Sequence, residues 1–186
     1  MLLNLPNTLT LFRIFLIPVL VALFYLPYEW VPMTCAVIFA TASFTDLFDG
    51  YLARKRGQMT ELGAFLDPVA DKLMVCVALA LLIQMHTTAW LTVPALVIIG
   101  REILVSALRE WMSEYGTKGK LNVAFIGKVK TTLQMIAITG LLANPPIPVD
   151  WVLLLAYGFL YASFLMTLWS MYHYLVAAWP DLTSNR

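Results

Sequence analysis

Four aspartates stand in two pairs, Asp46 and Asp49 three residues apart and Asp67 and Asp71 four apart. On a helix, either spacing puts both side chains on one face. Small residues accompany each pair. At about 100° per residue, Gly50, Ala53, Arg54 and Gly57 share the broad face of the first pair, and Gly63 shares that of the second. A charged face lined by small residues leaves a space against its neighbour. Four carboxylates brought together repel one another and require cations. Lys72 and Arg54 can offset part of that charge. Hard divalent ions bound by oxygen do so better. Two carboxylate pairs on facing helices can hold one or two Mg²⁺ or Mn²⁺ ions. A metal pair suits displacement at phosphorus, where it clamps the attacking and leaving oxygens. Taken singly, these acids also read as charges at helix ends facing the cytoplasm. Asp67 and Asp71 lie too far past Gly63 to be explained as first-turn charges favoured by the helix dipole.

A second charged group lies further along. Arg101 stands about a dozen residues inside an apolar segment, which at about 1.5 Å per residue brings it near mid-membrane. An arginine at that depth is costly and faces a partner or a wet cavity. Arg109 follows eight residues later, roughly 80° around the helix, so both can face one cavity. Lys128 and Lys130 begin the next apolar segment. The competing readings are snorkelling of Arg109, Lys128 and Lys130 to the interface, and pairing of Arg101 with Glu102. Against that pairing, the two side chains point about 100° apart. An electropositive pocket beside bound metals suits a ligand that carries its own phosphate. At the N-terminus, Asn7 and Thr10 can hydrogen-bond a base, ribose or phosphate, with helix capping by Asn7 or Thr8 as the alternative.

The elements that position these residues are membrane helices. Of the 186 residues, 61% are hydrophobic, above the roughly 45–50% of a soluble domain. Six stretches approach the ~20 apolar residues a bilayer core requires. They cover 8–28, 31–52, 62–85, 89–112, 125–143 and 149–174. The expected fold is an all-α polytopic membrane protein, one domain over 1–186, with six transmembrane helices and a short N-terminal interfacial segment. The connections YLPYEW, MHTTAW and NPPIPVD carry no Lys or Arg. Arg54, Lys55, Arg56, Arg109, Lys118, Lys120, Lys128 and Lys130 cluster around the others. The positive-inside rule then puts both termini and the aspartates on the cytoplasmic side of the cell membrane. Trp30, Trp90 and Trp151 fall near the opposite interface, as an aromatic belt requires. A net charge of +1 with no basic tail carries no nucleic-acid pattern. Cys35 and Cys76 sit in apolar segments and read as small buried hydrophobes, not as a disulfide.

Asp46, Asp49, Gly50, Ala53, Arg54, Gly63, Asp67 and Asp71 fit D-x2-D-G-x2-A-R-x8-G-x3-D-x3-D without departure. This pattern resembles the motif of the CDP-alcohol phosphatidyltransferases. The run PNTLTLFR resembles that family's N-terminal P-N-x-L-T-x-x-R. The resemblance implies that a hydroxyl attacks the phosphorus of a CDP-linked lipid such as CDP-diacylglycerol and that CMP leaves. It also implies roles. Asp46 and Asp67 would bridge two divalent ions, with Asp49 completing one site and Asp71 the other. Asp71 would be the general base. Asn7, Thr10, Gly50, Arg54 and Thr60 would contact the CDP-diacylglycerol headgroup. REILVSALRE (101–110) and GKVKTTLQ (127–134) resemble the phosphatidylglycerophosphate-forming branch, whose acceptor is sn-glycerol 3-phosphate. Arg101, Arg109 and Lys128 would then bind that acceptor. Family membership further implies a homodimer among membrane lipids.

A carboxylate with a pKa of about 4 is a poor base for an alcohol, so Asp71 requires metal activation of the hydroxyl. Two other functions fit part of the pattern. A sibling transferase would use serine, an inositol phosphate or phosphatidylglycerol. An ion-coupled transporter would also carry intramembrane acids, but the chain shows no repeated halves.

Overall fold

The structure is a computed structural model that describes residues 5–56, 61–114, 124–143 and 150–183. All regular structure among them is helical: α1 (Leu5–Phe24), α2 (Val31–Arg56), α3 (Glu61–His86), α4 (Ala89–Glu114), α5 (Ala124–Ala143) and α6 (Asp150–Thr183). Each helix matches one expected stretch, but some ends differ. α1 stops at Phe24, short of position 28. Pro27 disfavours helical backbone at the residue before it, and the chain turns with the Leu26 N–H donating to the Leu23 carbonyl at 3.0 Å. α6 runs on to Thr183. Its 34 residues cover about 51 Å at 1.5 Å per residue, well beyond a hydrocarbon layer of about 30 Å.

The helices form a closed ring in the order α1, α2, α5, α6, α4, α3, with α3 also touching α5 and α2. Three cross-ties gather one end of this ring. The Tyr25 hydroxyl donates to Gln84 Oε1 at 2.8 Å. The Tyr161 hydroxyl donates to the Trp90 carbonyl at 2.9 Å. His86 meets the Tyr157 ring edge-on at 6.3 Å. This end bears the exposed Trp30, Trp90 and Trp151. The α3–α4 turn is tight. Thr87 adopts a left-handed φ of 44°, which β-branched residues rarely do. Its N–H still reaches the Ile83 carbonyl at 3.1 Å. The Thr88 carbonyl then opens α4 by accepting the N–H groups of Leu91 and Thr92.

The same end holds the dry core. Leu20, Leu79, Leu82, Leu91, Leu141 and Leu142 are fully enclosed there. Lipid tails are as apolar as leucine, so close packing contributes more here than escape from water. Gly140 on α5 shows how close that packing is. A Cβ at Gly140 would stand 3.1 Å from the Cβ of Ala156 on α6. Cys35 and Cys76 are both free thiols, and Cys35 is buried.

The other end of the ring is polar. Among the described residues, three helices carry stretches long and apolar enough to cross a membrane: Asn7–Phe24, Ala89–Met112 and Trp151–Val176. The apolar parts of α2 and α5 are shorter, Val31–Thr45 and Val129–Ala143. Charged and hydroxyl residues occupy their remaining turns. The protein is therefore an all-helical integral membrane protein with one dry end and one polar end.

Candidate active site

The polar end is built around α3. Asp67 and Asp71 lie one turn apart on this helix, and α1 packs against it. Thr10 and Arg13 on α1 are buried and both reach Asp67. The Thr10 hydroxyl donates to Asp67 Oδ1 at 3.1 Å, and the Arg13 guanidinium pairs with the same oxygen at 2.5 Å. The Asp67 side chain is 38% exposed while Arg13 is 2% exposed. The carboxylate therefore sits at a mouth, with its cationic partner behind it. Pro68, between the two aspartates, lacks an N–H and so interrupts the helical bonding there. Asn7 is buried one turn before Thr10, inside α1. The helix begins at Leu5, so neither Asn7 nor Thr8 is its cap.

Asp71 lies deeper and faces a groove of about 550 Å³ between α2 and α5. Ala40, Ser43 and Phe44 form one wall and Thr131, Met135 and Ile136 the other. The exposed side chains of Phe44 and Ile136 show that the groove opens on the outside of the bundle. The groove thus joins an apolar flank to a carboxylate.

A second polar cluster ties α4, α5 and α6 together. Arg101 is 6% exposed. It donates to Glu102 Oε1 at 3.0 Å and to the Ser170 hydroxyl oxygen at 2.9 Å. Lys130, also buried, pairs with the same Glu102 oxygen. Removing one partner of such a buried pair costs about 3–5 kcal/mol. The two clusters lie on helices in direct contact, α3 packing against α4 and α5.

The structure thus brings Thr10 and Asp67 together, sets Asp71 beside them and places Arg101 in an adjoining ion-pair network. Arg101 and Glu102 do pair, although their positions point about 100° apart on the helix. A guanidinium on three methylenes swings across the 100° between neighbouring helical positions. Lys130 does not snorkel; it turns inward to Glu102. Sequence reasoning gave too little weight to Arg13, Glu102, Lys130 and Ser170. The signal for Glu102 was available, since an acid at mid-span demands a partner. Ser170 gave none. Asp46, Asp49, Gly50 and Arg54 belong to the helical backbone of α2, but their side chains fall outside the described residues, as do those of Arg109 and Lys128. Thr60 lies outside them altogether.

The donor chemistry suits a hard divalent ion. Asp67 and Asp71 offer carboxylate oxygens from one helical face, and Asp67 stands at an open mouth. Among the described residues no group of three or more His, Cys, Asp or Glu converges on one point. The Asp46 and Asp49 positions lie three apart on α2, a helix that contacts α3.

The sequence pattern of CDP-alcohol phosphatidyltransferases matches residues 3–176. A curated protein of Pseudomonas fluorescens, named "CDP-diacylglycerol--glycerol-3-phosphate 3-phosphatidyltransferase", is 56% identical over 183 residues, covering 98% of this chain and 93% of that protein. A protein of the same name from Yersinia enterocolitica is 52% identical over 180 residues, 97% of each chain. Another from Salmonella choleraesuis is 51% identical over 179 residues. With the match spanning all six helices and both polar clusters, the chain belongs to the CDP-alcohol phosphatidyltransferase family.

Proposed function

We propose that this protein transfers the phosphatidyl group of CDP-diacylglycerol to sn-glycerol 3-phosphate, giving phosphatidylglycerophosphate and CMP. The observation that carries this reading is the near full-length identity of 56% to a protein named for that reaction. Two structural features support it. Asp71 faces a groove with an apolar, outward-opening flank, suited to a headgroup whose tails stay in lipid. Arg101 and Lys130 supply buried positive charge nearby, suited to an acceptor phosphate.

The reaction is an in-line displacement. The acceptor's hydroxyl oxygen forms a bond to the phosphorus that carries diacylglycerol. The bond from that phosphorus to the CMP oxygen breaks, and CMP departs with the electron pair. The hydroxyl proton passes to a carboxylate, assigned to Asp71. Asp46, Asp49, Asp67 and Asp71 would hold two Mg²⁺ or Mn²⁺ ions. When bound, these would draw charge from the phosphoryl oxygens and acidify the acceptor hydroxyl. Thr10 and Arg13 fix the rotamer of Asp67. Asn7, Gly50, Arg54 and Thr60 are assigned to the cytidine diphosphate. Arg101, Arg109 and Lys128 are assigned to the acceptor, with Lys130 now added.

The six helices are assigned as six membrane crossings. The polar end, near Arg54, Lys55, Arg56 and Arg109, faces the cytoplasm under the positive-inside rule. The working form is assigned as a homodimer in the cell membrane. The test is purified protein with CDP-diacylglycerol, Mg²⁺ and labelled glycerol 3-phosphate, with the lipid product identified. Phosphatidylglycerophosphate is the expected product. A labelled lipid formed only with serine, an inositol phosphate or phosphatidylglycerol would reassign the acceptor.

A further inference from the structure

Glu102 stands on α4 within the apolar stretch Ala89–Met112. An ionised carboxylate at that depth needs compensation. It receives two cations on one oxygen, Lys130 from α5 and Arg101 from its own helix. Taken by itself, the trio sums to one net positive charge. Two further buried side-chain atoms, one on α4 and one on α5, have no hydrogen bond. Arg101 Nε, a donor, is buried and unbonded, and so is Gln134 Oε1, an acceptor. Gln134 is 2% exposed and lies one turn after Lys130 on α5. Buried polar atoms are seldom left this way. An anion offers oxygens to the guanidinium donor, and a hydroxyl able to donate suits the amide oxygen. A phosphorylated polyol has both.

We propose that Glu102 is a resident counter-anion of the acceptor site. Its carboxylate holds Lys130 and Arg101 in position while no acceptor is present, and the acceptor's phosphate competes with it for both cations. This inference rests on the reading of the acceptor as glycerol 3-phosphate. Near neutral pH a phosphate monoester carries a charge of about −1.5 to −2 and three strong acceptor oxygens, against the single charge of a carboxylate. A phosphate therefore displaces Glu102, and an uncharged polyol does not. On this account Glu102 is a positioning residue with two effects. It keeps two cations compatible with a membrane interior, and it restricts the site to charged acceptors.

The experiment is inhibition of the full-length enzyme by inorganic phosphate, varied against glycerol 3-phosphate. Glu102→Gln removes the competing charge and keeps a hydrogen-bonding oxygen. Both the Ki for phosphate and the KM for glycerol 3-phosphate should fall about tenfold, equivalent to about 1.4 kcal/mol. The KM for CDP-diacylglycerol should not move. Glu102→Asp withdraws the charge by one methylene and should shift both constants the same way by less, which decides the matter if the glutamine variant does not fold. A purely structural role would lower kcat and the melting temperature and leave the phosphate Ki unchanged. An unchanged or raised Ki in the folded variants overturns the inference. If the unmodified protein makes no lipid from glycerol 3-phosphate, the proposed function fails instead.

Discussion

Arg13 and Asp67 are separated by 54 residues of chain, yet the guanidinium lies 2.5 Å from the carboxylate oxygen Oδ1. The Thr10 hydroxyl meets that same oxygen at 3.1 Å. With two donors on one oxygen, the Asp67 side chain has its rotamer fixed, and α1 is thereby tied to the polar end of α3.

If Asp67 holds a divalent ion as proposed, Arg13→Gln should slow turnover about 10–100-fold, the usual penalty for losing the partner of a metal ligand. The Mg²⁺ concentration for half-maximal rate should rise in parallel. The pair itself contributes about 1 kcal/mol or less to stability, because Asp67 is 38% exposed and screened by solvent. Metal titration of the variant checks this. A loss of kcat with an unaltered Mg²⁺ response would separate Arg13 from the metal site.

Removal of divalent ions with a chelator should abolish transfer, and Mg²⁺ or Mn²⁺ should restore it. Asp71→Asn and Asp67→Asn should each leave less than about 1% of the rate, in line with losing a first-order catalytic group. Restoration of Asp71→Asn by excess metal would show that Asp71 acts as a ligand more than as a base.

Arg101→Ala should raise the KM for glycerol 3-phosphate about tenfold or more. A hydrogen bond to a charged group is worth about 1.5–3 kcal/mol. The KM for CDP-diacylglycerol should change less. Steady-state kinetics with each substrate varied in turn measure both, and the reverse ordering would remove Arg101 from the acceptor pocket.

His86, the last residue of α3, has its pKa held below the ordinary histidine value of 6.5. Burial disfavours the imidazolium, and a hydrogen bond with the Leu141 backbone opposes this only in part. Below about pH 6.5 the unfolded chain takes up a proton that the folded one resists, so unfolding gains as pH falls. Stability is complete above that value and declines beneath it. Melting temperatures of the wild type and His86→Phe, compared between about pH 8 and pH 5.5, should show a steeper acid-side loss in the wild type.

Much of this was legible in the residues. Length and apolarity marked out the six described helices, because each is long and largely apolar. The Asp67–Asp71 face was legible because both lie on one helix at a fixed spacing. Contacts between helices were not. Arg13 meets Asp67 only after α1 is laid across α3, and Ser170 meets Arg101 only after α6 closes the ring. Periodicity speaks for one rod at a time. The early stop of α1 was written in Pro27, whereas nothing in the sequence marked the extension of α6 to Thr183.

The gap between α2 and α5 faces sideways. A ligand that arrives through it travels in a two-dimensional fluid, and its encounter rate follows its share of the surrounding sheet, not its molarity in the tube. Spreading a fixed amount of CDP-diacylglycerol through more inert detergent or phospholipid should slow the reaction, though nothing has been diluted in water. Surface crowding, more than supply from solution, would then set the pace at which this protein works.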